Sequence, residues 1–173
     1  KMVRSDSASS GVIFTLEPES GFRDVILITG AWGLGENIVQ GTITPDEYYV
    51  FKPTFLKGKN AIVQKKLGSK AKTMVYSSGV DHQPGVGTIN VETPPERRRE
   101  FVLSDSEITT LASCAIIIEK HYKQPMDIEW AKDGFTDELF IVQARPETIH
   151  QRRDPFVQKE YVLKEKGKLI TTG

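Results

Sequence analysis

Residues 126–146 read MDIEWAKDGFTDELFIVQARP, and this stretch decides the fold. It holds two segments in which polar and apolar residues alternate, Met126 to Ala131 and Glu138 to Arg145. The residues between them include Asp133 and Gly134, which favour turns. Alternation with a period of two on both sides of a turn is typical of an antiparallel hairpin. The sequence therefore predicts two paired strands here.

Odd-numbered positions of this hairpin carry the side chains that could bind a ligand. Successive side chains of a strand point to opposite faces. The residues predicted to share one face are Asp127, Glu129 and Ala131 in the first arm, and Leu139, Ile141, Gln143 and Arg145 in the second. If the turn centres near Thr136, Glu129 lies opposite Gln143. By the same register Asp127 lies opposite Arg145, which gathers two carboxylates, an amide and a guanidinium on one patch.

The chemistry of this patch suits a metal ion with phosphate. Mg²⁺ takes oxygen ligands, usually one or two carboxylates together with substrate phosphates. An arginine offers a planar fork of donors to phosphate oxygens. The alternation alone leaves a simpler alternative open, in which Asp127 and Arg145 form a surface salt bridge and the other two polar residues are solvated.

Short strand-like segments precede the hairpin and are separated by turns that contain Gly, Pro or Asn. They are Val12 to Leu16, Val25 to Thr29, Tyr48 to Lys52, Ala61 to Lys66 and Thr73 to Tyr76. The second is continuously apolar, which predicts a buried strand beside the first. The stretch from Ser78 to Pro95 is polar and rich in Gly and Pro, so we expect an exposed excursion there.

One long helix is predicted from Asp105 to Tyr122. Its apolar residues recur with a helical period. Ser104 and Glu107 have the spacing of a capping box at the start, and Pro125 is expected to stop the helix. Together, the strands and this helix predict a fold that mixes α and β structure, α/β in the broad sense and α+β in the strict one. Its sheet is expected to be mostly antiparallel.

Composition excludes several classes of function. The chain of 173 residues is long enough for one domain, and its 23 basic and 23 acidic side chains give no net field to attract nucleic acid or an anionic membrane. Its apolar runs are far shorter than the roughly 20 residues that span a bilayer. A single cysteine, Cys114, excludes an internal disulfide and suits a reducing cytoplasm.

Four separated motifs carry a family resemblance. They are VRSD with ASSGVIFT at 3–15, GLGENIVQG with TPDE at 33–47, PMDIEWA at 125–131 and IVQARPET at 141–148. In this order they closely resemble the nucleotide-binding domain of the phosphoenolpyruvate synthases. The related pyruvate phosphate dikinases and rifampicin phosphotransferases share the Glu, Gln and Arg pattern. The particular residues of the last two motifs favour the synthases.

The resemblance implies an ATP-grasp fold and a division of the chain. Residues 1–150 would be the C-terminal part of the ATP-grasp domain, and residues 151–173 a linker and the start of a phosphohistidine (swivelling) domain. The implied reaction converts pyruvate, ATP and water into phosphoenolpyruvate, AMP and phosphate through a phosphohistidine. ATP and pyruvate are the implied substrates, the remaining domains of the same polypeptide are the implied partners, and a homodimer is left open.

The resemblance also assigns roles to residues. Glu129 and Gln143 would bind Mg²⁺ and the triphosphate of ATP, and Arg145 would be catalytic by stabilising charge on the transferred group. Glu36 is a further candidate, because the glycine-rich elbow before it could bring backbone N–H groups near phosphate. An alternative for Glu36 is a helix-capping acid after a tight strand-to-helix turn.

Departures from the family pattern limit what this chain can do. None of His82, His121 and His150 has the Thr- and Gly-rich context of the family's reactive histidine. The first half of the ATP-grasp domain would precede Lys1. Two rival interpretations stay open, a phosphotransferase of the same architecture with another acceptor, and a nucleotide-binding module without catalysis.

Overall fold

The computed structural model describes residues 2–77 and 87–148. The strands in this part are β1 (Ser9–Phe14), β2 (Val25–Trp32), β3 (Asp46–Phe51), β4 (Ile62–Lys66), β5 (Lys72–Tyr76), β6 (Thr88–Glu92), β7 (Met126–Lys132) and β8 (Leu139–Pro146). The helices are α1 (Glu36–Val39), α2 (Lys52–Phe55), α3 (Pro95–Arg98) and α4 (Asp105–Tyr122), with a 3-10 turn at Ser5–Ser7. The predicted α+β class with one long helix is confirmed.

Six strands form one antiparallel sheet in the order β4-β3-β2-β1-β7-β8. β1 and β2 pair directly, as predicted, and β7 lies on the other side of β1. β5 and β6 form a separate two-stranded sheet, and α1 contacts both β1 and β5. The hairpin of β7 and β8 therefore occupies one edge of the main sheet, next to the first strand of the chain.

The core lies between the sheet and α4. Ile13, Ile28 and Ile128 project from β1, β2 and β7 and are fully buried. Ile108 and Leu111 of α4 belong to the same cluster, where they are at most 1% exposed. Burying such side chains contributes about 1.5–3 kcal/mol each, so this layer holds the sheet in place. The opposite face of β7 is left for polar residues.

The boundaries of α4 follow from its caps. The hydroxyl of Ser104 accepts the N–H of Glu107 at 3.3 Å, and the carboxylate of Glu107 accepts the N–H of Ser104 at 2.7 Å, so the predicted capping box is present. At the other end Lys123 adopts a left-handed φ of 56° and donates its N–H to the carbonyl of Glu119. The helix thus ends before Pro125 through this cap.

A buried ion pair fixes the start of β3. The side chains of Asp46 and Lys70 are both 0% exposed and contact each other. The same carboxylate accepts the backbone N–H groups of Gly68 and Val102, at 2.8 and 3.0 Å. Burial and the charge of Asp46 raise the pKa of Tyr48, so its hydroxyl stays protonated and donates to Asp46 at 3.2 Å. These bonds join two loop segments, one with Gly68 and Lys70 and one with Val102, to the start of β3.

The predicted excursion from Ser78 to Pro95 is wrong in its second part, where β6 pairs with β5. All five residues of β6 are exposed, which explains why their sequence has no core pattern. The arginine-rich segment that follows forms α3, and the guanidinium of Arg97 lies 4.1 Å from the ring centre of Trp32. His82, His150 and the predicted linker and domain start at 151–173 lie outside the described residues.

Candidate functional site

The hairpin register places the predicted residues opposite one another. Asp127 pairs with Arg145, and Glu129 pairs with Gln143. On β1 the neighbour of Glu129 is Val12. Because Ile128 faces α4, Asp127 and Glu129 point to the other face of the sheet. The predicted cluster of two carboxylates, an amide and a guanidinium is therefore formed.

The prediction that Leu139 and Ile141 share this face is wrong. The register shifts after Glu129, so that Trp130 pairs with Ile141 and Val142 is an extra residue in β8. Such a β-bulge changes which side chains lie on each face. Leu139 therefore packs against the core with α4, while Gln143 lies on the opposite face.

The turn between the arms is held by Asp133, which is only 4% exposed. One carboxylate oxygen accepts the N–H groups of Phe135 and Thr136, at 2.9 and 3.1 Å. The other accepts the N–H of Arg4 at 3.3 Å. An aspartate that caps a turn in this way fixes its length, and this contributes to the register of the two arms. The predicted turn is thus tied to the N-terminal segment.

Arg145 is held by Asp127. Its Nε and Nη2 atoms lie 2.8 and 2.6 Å from the same carboxylate oxygen. The side chain of Arg145 is 61% exposed and that of Asp127 is 13% exposed. The hydrogen bond and the charge of Asp127, with a smaller contribution from Glu129, raise the pKa of Arg145. The guanidinium is therefore permanently charged and still accessible.

Among the described residues, the side-chain oxygen atoms of Glu129 and Gln143 accept no hydrogen bond. Glu129 is half-buried and Gln143 is exposed. A half-buried carboxylate favours a nearby cation, and the charge of Glu129 does interact with that of Arg145. Two oxygen donors facing each other across a strand pair thus fit a hard metal ion.

Glu129 borders a small cleft beside α1. Its walls include Ser10 and Gly11 of β1, Gly35 at the start of α1, and Val142 at the bulge. Together with Glu129, these residues come from four separate segments of the sequence. The glycine-rich elbow and the hairpin, which were predicted from separate motifs, therefore meet at one place.

Glu36 lies at the edge of this region. It is exposed and opens α1, and its carboxylate accepts the side-chain amide of Gln40 at 2.7 Å. Gly33 has a φ of 86°, and a Cβ atom there would lie 2.4 Å from the carbonyl oxygen of Met74. The elbow thus requires glycine for a tight turn against β5. Glu36 lies in the first turn of α1, but the helix has no side-chain capping hydrogen bond, so neither the capping role nor the ligand role is decided and the ligand role stays a proposal.

A metal site made only of protein ligands is absent from the described part of the chain. No group of three or more His, Cys, Asp or Glu side chains there could hold an ion. A Mg²⁺ ion commonly has only one or two protein carboxylates and completes its shell with phosphates and water. Glu129 and Gln143 fit such a site, in which a nucleotide supplies the other ligands.

The family described as pyruvate phosphate dikinase, AMP/ATP-binding domain, matches residues 1–165. The chain belongs to this family. It is 53% identical over its whole length to the phosphoenolpyruvate synthase of Pseudomonas aeruginosa and 52% identical to that of Escherichia coli. It is 38% identical to the probable phosphoenolpyruvate synthase of Archaeoglobus fulgidus. These alignments cover all of this chain but only 21 to 22% of each relative, so the chain spans about a fifth of their length.

In the part of this family member that the structure describes, no helix has the length and apolarity needed to cross a membrane. α4 is the longest described helix with 18 residues, and it carries charged residues at both ends. One of its faces packs on the sheet, and the exposed remainder contains both polar residues and the apolar side chain of Ile117.

Proposed function

We propose that this chain is the C-terminal part of the ATP-grasp domain of a phosphoenolpyruvate synthase and forms one wall of its Mg²⁺–ATP site. The observation that carries the proposal is the pair Glu129 and Gln143. These residues face each other across two strands, and their oxygen atoms have no donor among the described residues. The identity of 52 to 53% to phosphoenolpyruvate synthases, over the whole of this chain, supports ATP as the ligand.

Each residue of the site has a role that follows from its chemistry. Glu129 offers a carboxylate and Gln143 an amide oxygen to Mg²⁺, which when bound neutralises charge on the triphosphate oxygens. Arg145 donates to phosphate oxygens and stabilises the charge that develops during transfer. Asp127 holds the guanidinium in place through the two short contacts. The arginine is thus oriented before the nucleotide arrives, which lowers the cost of binding.

The reaction of the whole polypeptide is also part of the proposal. Pyruvate, ATP and water would give phosphoenolpyruvate, AMP and phosphate, with the phosphoryl group passing through a histidine on another domain. Residues 151–173 would lead into that domain. Glu36 would approach the nucleotide from the elbow beside Gly35, which borders the same cleft as Glu129. The single cysteine, Cys114, suits a reducing cytoplasm as the place of action.

The test is Mg²⁺-dependent ATP binding by the full-length polypeptide that contains this chain. Glu129→Gln keeps the shape of the side chain and removes the charge, and Arg145→Ala removes the phosphate donor. We expect each variant to raise the dissociation constant of Mg²⁺–ATP by about ten-fold or more, because charge-assisted bonds contribute roughly 1.5–3 kcal/mol. Calorimetric titration with and without Mg²⁺ measures this change.

Matched controls come from an ion pair outside the site. Arg98 and Glu92 are 2.6 Å apart, the same separation as Arg145 and Asp127, and both are at least one-third exposed. Arg98→Ala and Glu92→Gln should leave Mg²⁺–ATP affinity within about two-fold of wild type, since exposed pairs contribute at most about 1 kcal/mol even to stability. Wild-type affinity in both site variants would contradict the proposal. Normal Mg²⁺–ATP binding by the wild type without any turnover would favour a module that does no chemistry.

A further inference from the structure

Trp130 has an unusual position next to the site. It directly follows Glu129, is 1% exposed, and lies where the register of the hairpin shifts. Its indole crosses β1 and donates its N–H to the carbonyl oxygen of Thr29 on β2, at 3.0 Å. A side chain of β7 is therefore bonded to the second strand away.

Two glycines create the space for this indole. A Cβ atom at Gly11 would lie 2.8 Å from Nε1 of Trp130 and 1.9 Å from the carbonyl oxygen of Thr29. A Cβ atom at Gly30 would lie 3.0 Å from Cζ2 of the same ring. The backbone pairs of β1 with β2 on either side of this point are regular. The two glycines therefore leave a gap between β1 and β2, and the indole of Trp130 lies in this gap.

The bulge decides what Glu129 faces. From the turn, Lys132 pairs with Leu139 and Trp130 pairs with Ile141. Without the extra residue, the next pair would join Glu129 to Val142, and Gln143 would turn toward α4, because a one-residue slip moves side chains to the other face. The pair of Glu129 with Gln143 therefore exists only while the bulge stays beside Trp130.

We propose that Trp130 is a positioning residue for the Mg²⁺–ATP site: its indole, bonded to Thr29 through the glycine gap, fixes the bulge that sets Glu129 opposite Gln143. This inference rests on the proposed function. The side chain of Trp130 belongs to the core cluster, and the residue also borders the cleft beside Glu129. Its effect is on the geometry of its neighbour, and misplacing a binding group by about 1 Å is enough to cost a large factor in affinity or rate.

The main variant is Trp130→Phe in the full-length polypeptide. Phenylalanine keeps an aromatic ring in the core but has no N–H to donate to Thr29. We expect the dissociation constant of Mg²⁺–ATP to rise by about ten-fold or more, and KM for ATP to rise with it. The matched control is Trp32→Phe, because the N–H of Trp32 also donates to a backbone carbonyl, that of Arg97, at 2.9 Å. This control removes an equivalent indole-to-carbonyl hydrogen bond, made by a residue of β2. It should leave the affinity for Mg²⁺–ATP within about two-fold of wild type.

A second variant displaces the indole without changing its chemistry. In Gly30→Ala the new methyl group would lie 2.7 Å from Cγ2 of Val102 and 3.0 Å from the ring of Trp130. We expect this variant also to weaken Mg²⁺–ATP binding, and it decides the matter if Trp130→Phe folds poorly. A purely structural role predicts that Trp130→Phe and Gly30→Ala lose thermal stability but keep the wild-type affinity for Mg²⁺–ATP, and that result would overturn the inference.

Failure of this inference is distinct from failure of the proposed function. If Glu129→Gln weakens Mg²⁺–ATP binding while Trp130→Phe and Gly30→Ala do not, the metal site stands and Trp130 has no positioning role. If Glu129→Gln binds Mg²⁺–ATP as tightly as wild type, the proposed function itself is wrong. Titration of these three variants and the Trp32→Phe control with Mg²⁺–ATP, under one set of conditions, separates these outcomes.

Discussion

Individual residues of this chain differ widely in how much their charges matter, and two lysines illustrate the range. Lys70 contacts Asp46 with both side chains fully buried, whereas Lys66 lies 3.1 Å from Glu47 with 52% of its side chain exposed. Burial removes the water that would otherwise stabilise each charge. A partner that is lost from the interior therefore leaves an uncompensated ion, while one lost from the surface is replaced by solvent.

We predict that Lys70→Met destabilises the region around β3 by about 3–5 kcal/mol, because the carboxylate of Asp46 stays buried without its counter-ion. Lys66→Met is the control and should leave the stability of β3 close to that of wild type, because its ion pair with Glu47 is exposed. Hydrogen exchange of backbone amides in β3, measured by mass spectrometry on the full-length polypeptide, reports both values. Equal protection of β3 in the two variants would show that the buried pair has no special weight.

At the site, the sequence predicted which residues meet but not how their faces are arranged. The pairs Glu129 with Gln143 and Asp127 with Arg145 were predicted for a turn centred near Thr136 without a bulge, whereas the structure reaches the same pairs through the register shift after Glu129. The expected place of Leu139 on the same face was wrong, because the bulge depends on the indole of Trp130 and on glycines about 100 residues away in sequence. Alternation within one segment carries no information on such a distant contact.

Among the elements, α4 and β6 show the two extremes of predictability. The bounds of α4 agree with the prediction because its signals are local: a capping box at Ser104 and a helical period of apolar residues. β6 was missed because its side chains are all exposed and its pairing with β5 spans a polar loop. β1 begins at Ser9, earlier than expected, because Ser9 and Ser10 are buried by contacts that composition does not reveal.

The link between α4 and β7 leads to a prediction on pH. Burial alone would raise the pKa of Glu107, but the hydrogen bond of Lys132, at 2.8 Å, and those of Ser104 together hold that pKa below its usual value of 4.5. A carboxyl group with a lowered pKa in the folded state stabilises it above pH 4.5, and this stabilisation is lost as pH falls through the lower folded value.

We therefore predict that Glu107→Gln lowers the protection of α4 amides from hydrogen exchange at pH 7, and that its difference from wild type shrinks below pH 4.5. Protection factors between pH 3 and pH 7, corrected for intrinsic exchange rates, measure this. Asp105→Asn is the control, since its ion pair with Lys65 is exposed and contributes little. A difference between wild type and Glu107→Gln that stays constant over this range would contradict the assigned cause.

For the whole molecule, the position of the hairpin at the edge of the sheet matters most. The described residues would provide one wall of the proposed site, in which Glu129 is half-buried, Gln143 is exposed and Arg145 is mostly exposed. The relatives that match this chain are about five times longer, since it covers 21 to 22% of each. Binding groups from the rest of the polypeptide would have to close over the nucleotide, because oriented contacts on one side give little water exclusion.

We predict that these 173 residues, produced alone, do not form phosphoenolpyruvate from pyruvate and ATP. Of the three histidines, only His121 lies in the described part, and it contacts Tyr122 at the end of α4 rather than the Glu129 cleft. If the phosphoryl group passes through a histidine on another domain, as proposed, this chain alone cannot complete the transfer. Assays with labelled ATP should detect no phosphoenolpyruvate above background, while the full-length polypeptide turns over under the same conditions. Measurable product from the isolated chain would mean that the reactive groups lie within it. The inference that other parts of the polypeptide supply them would then be wrong.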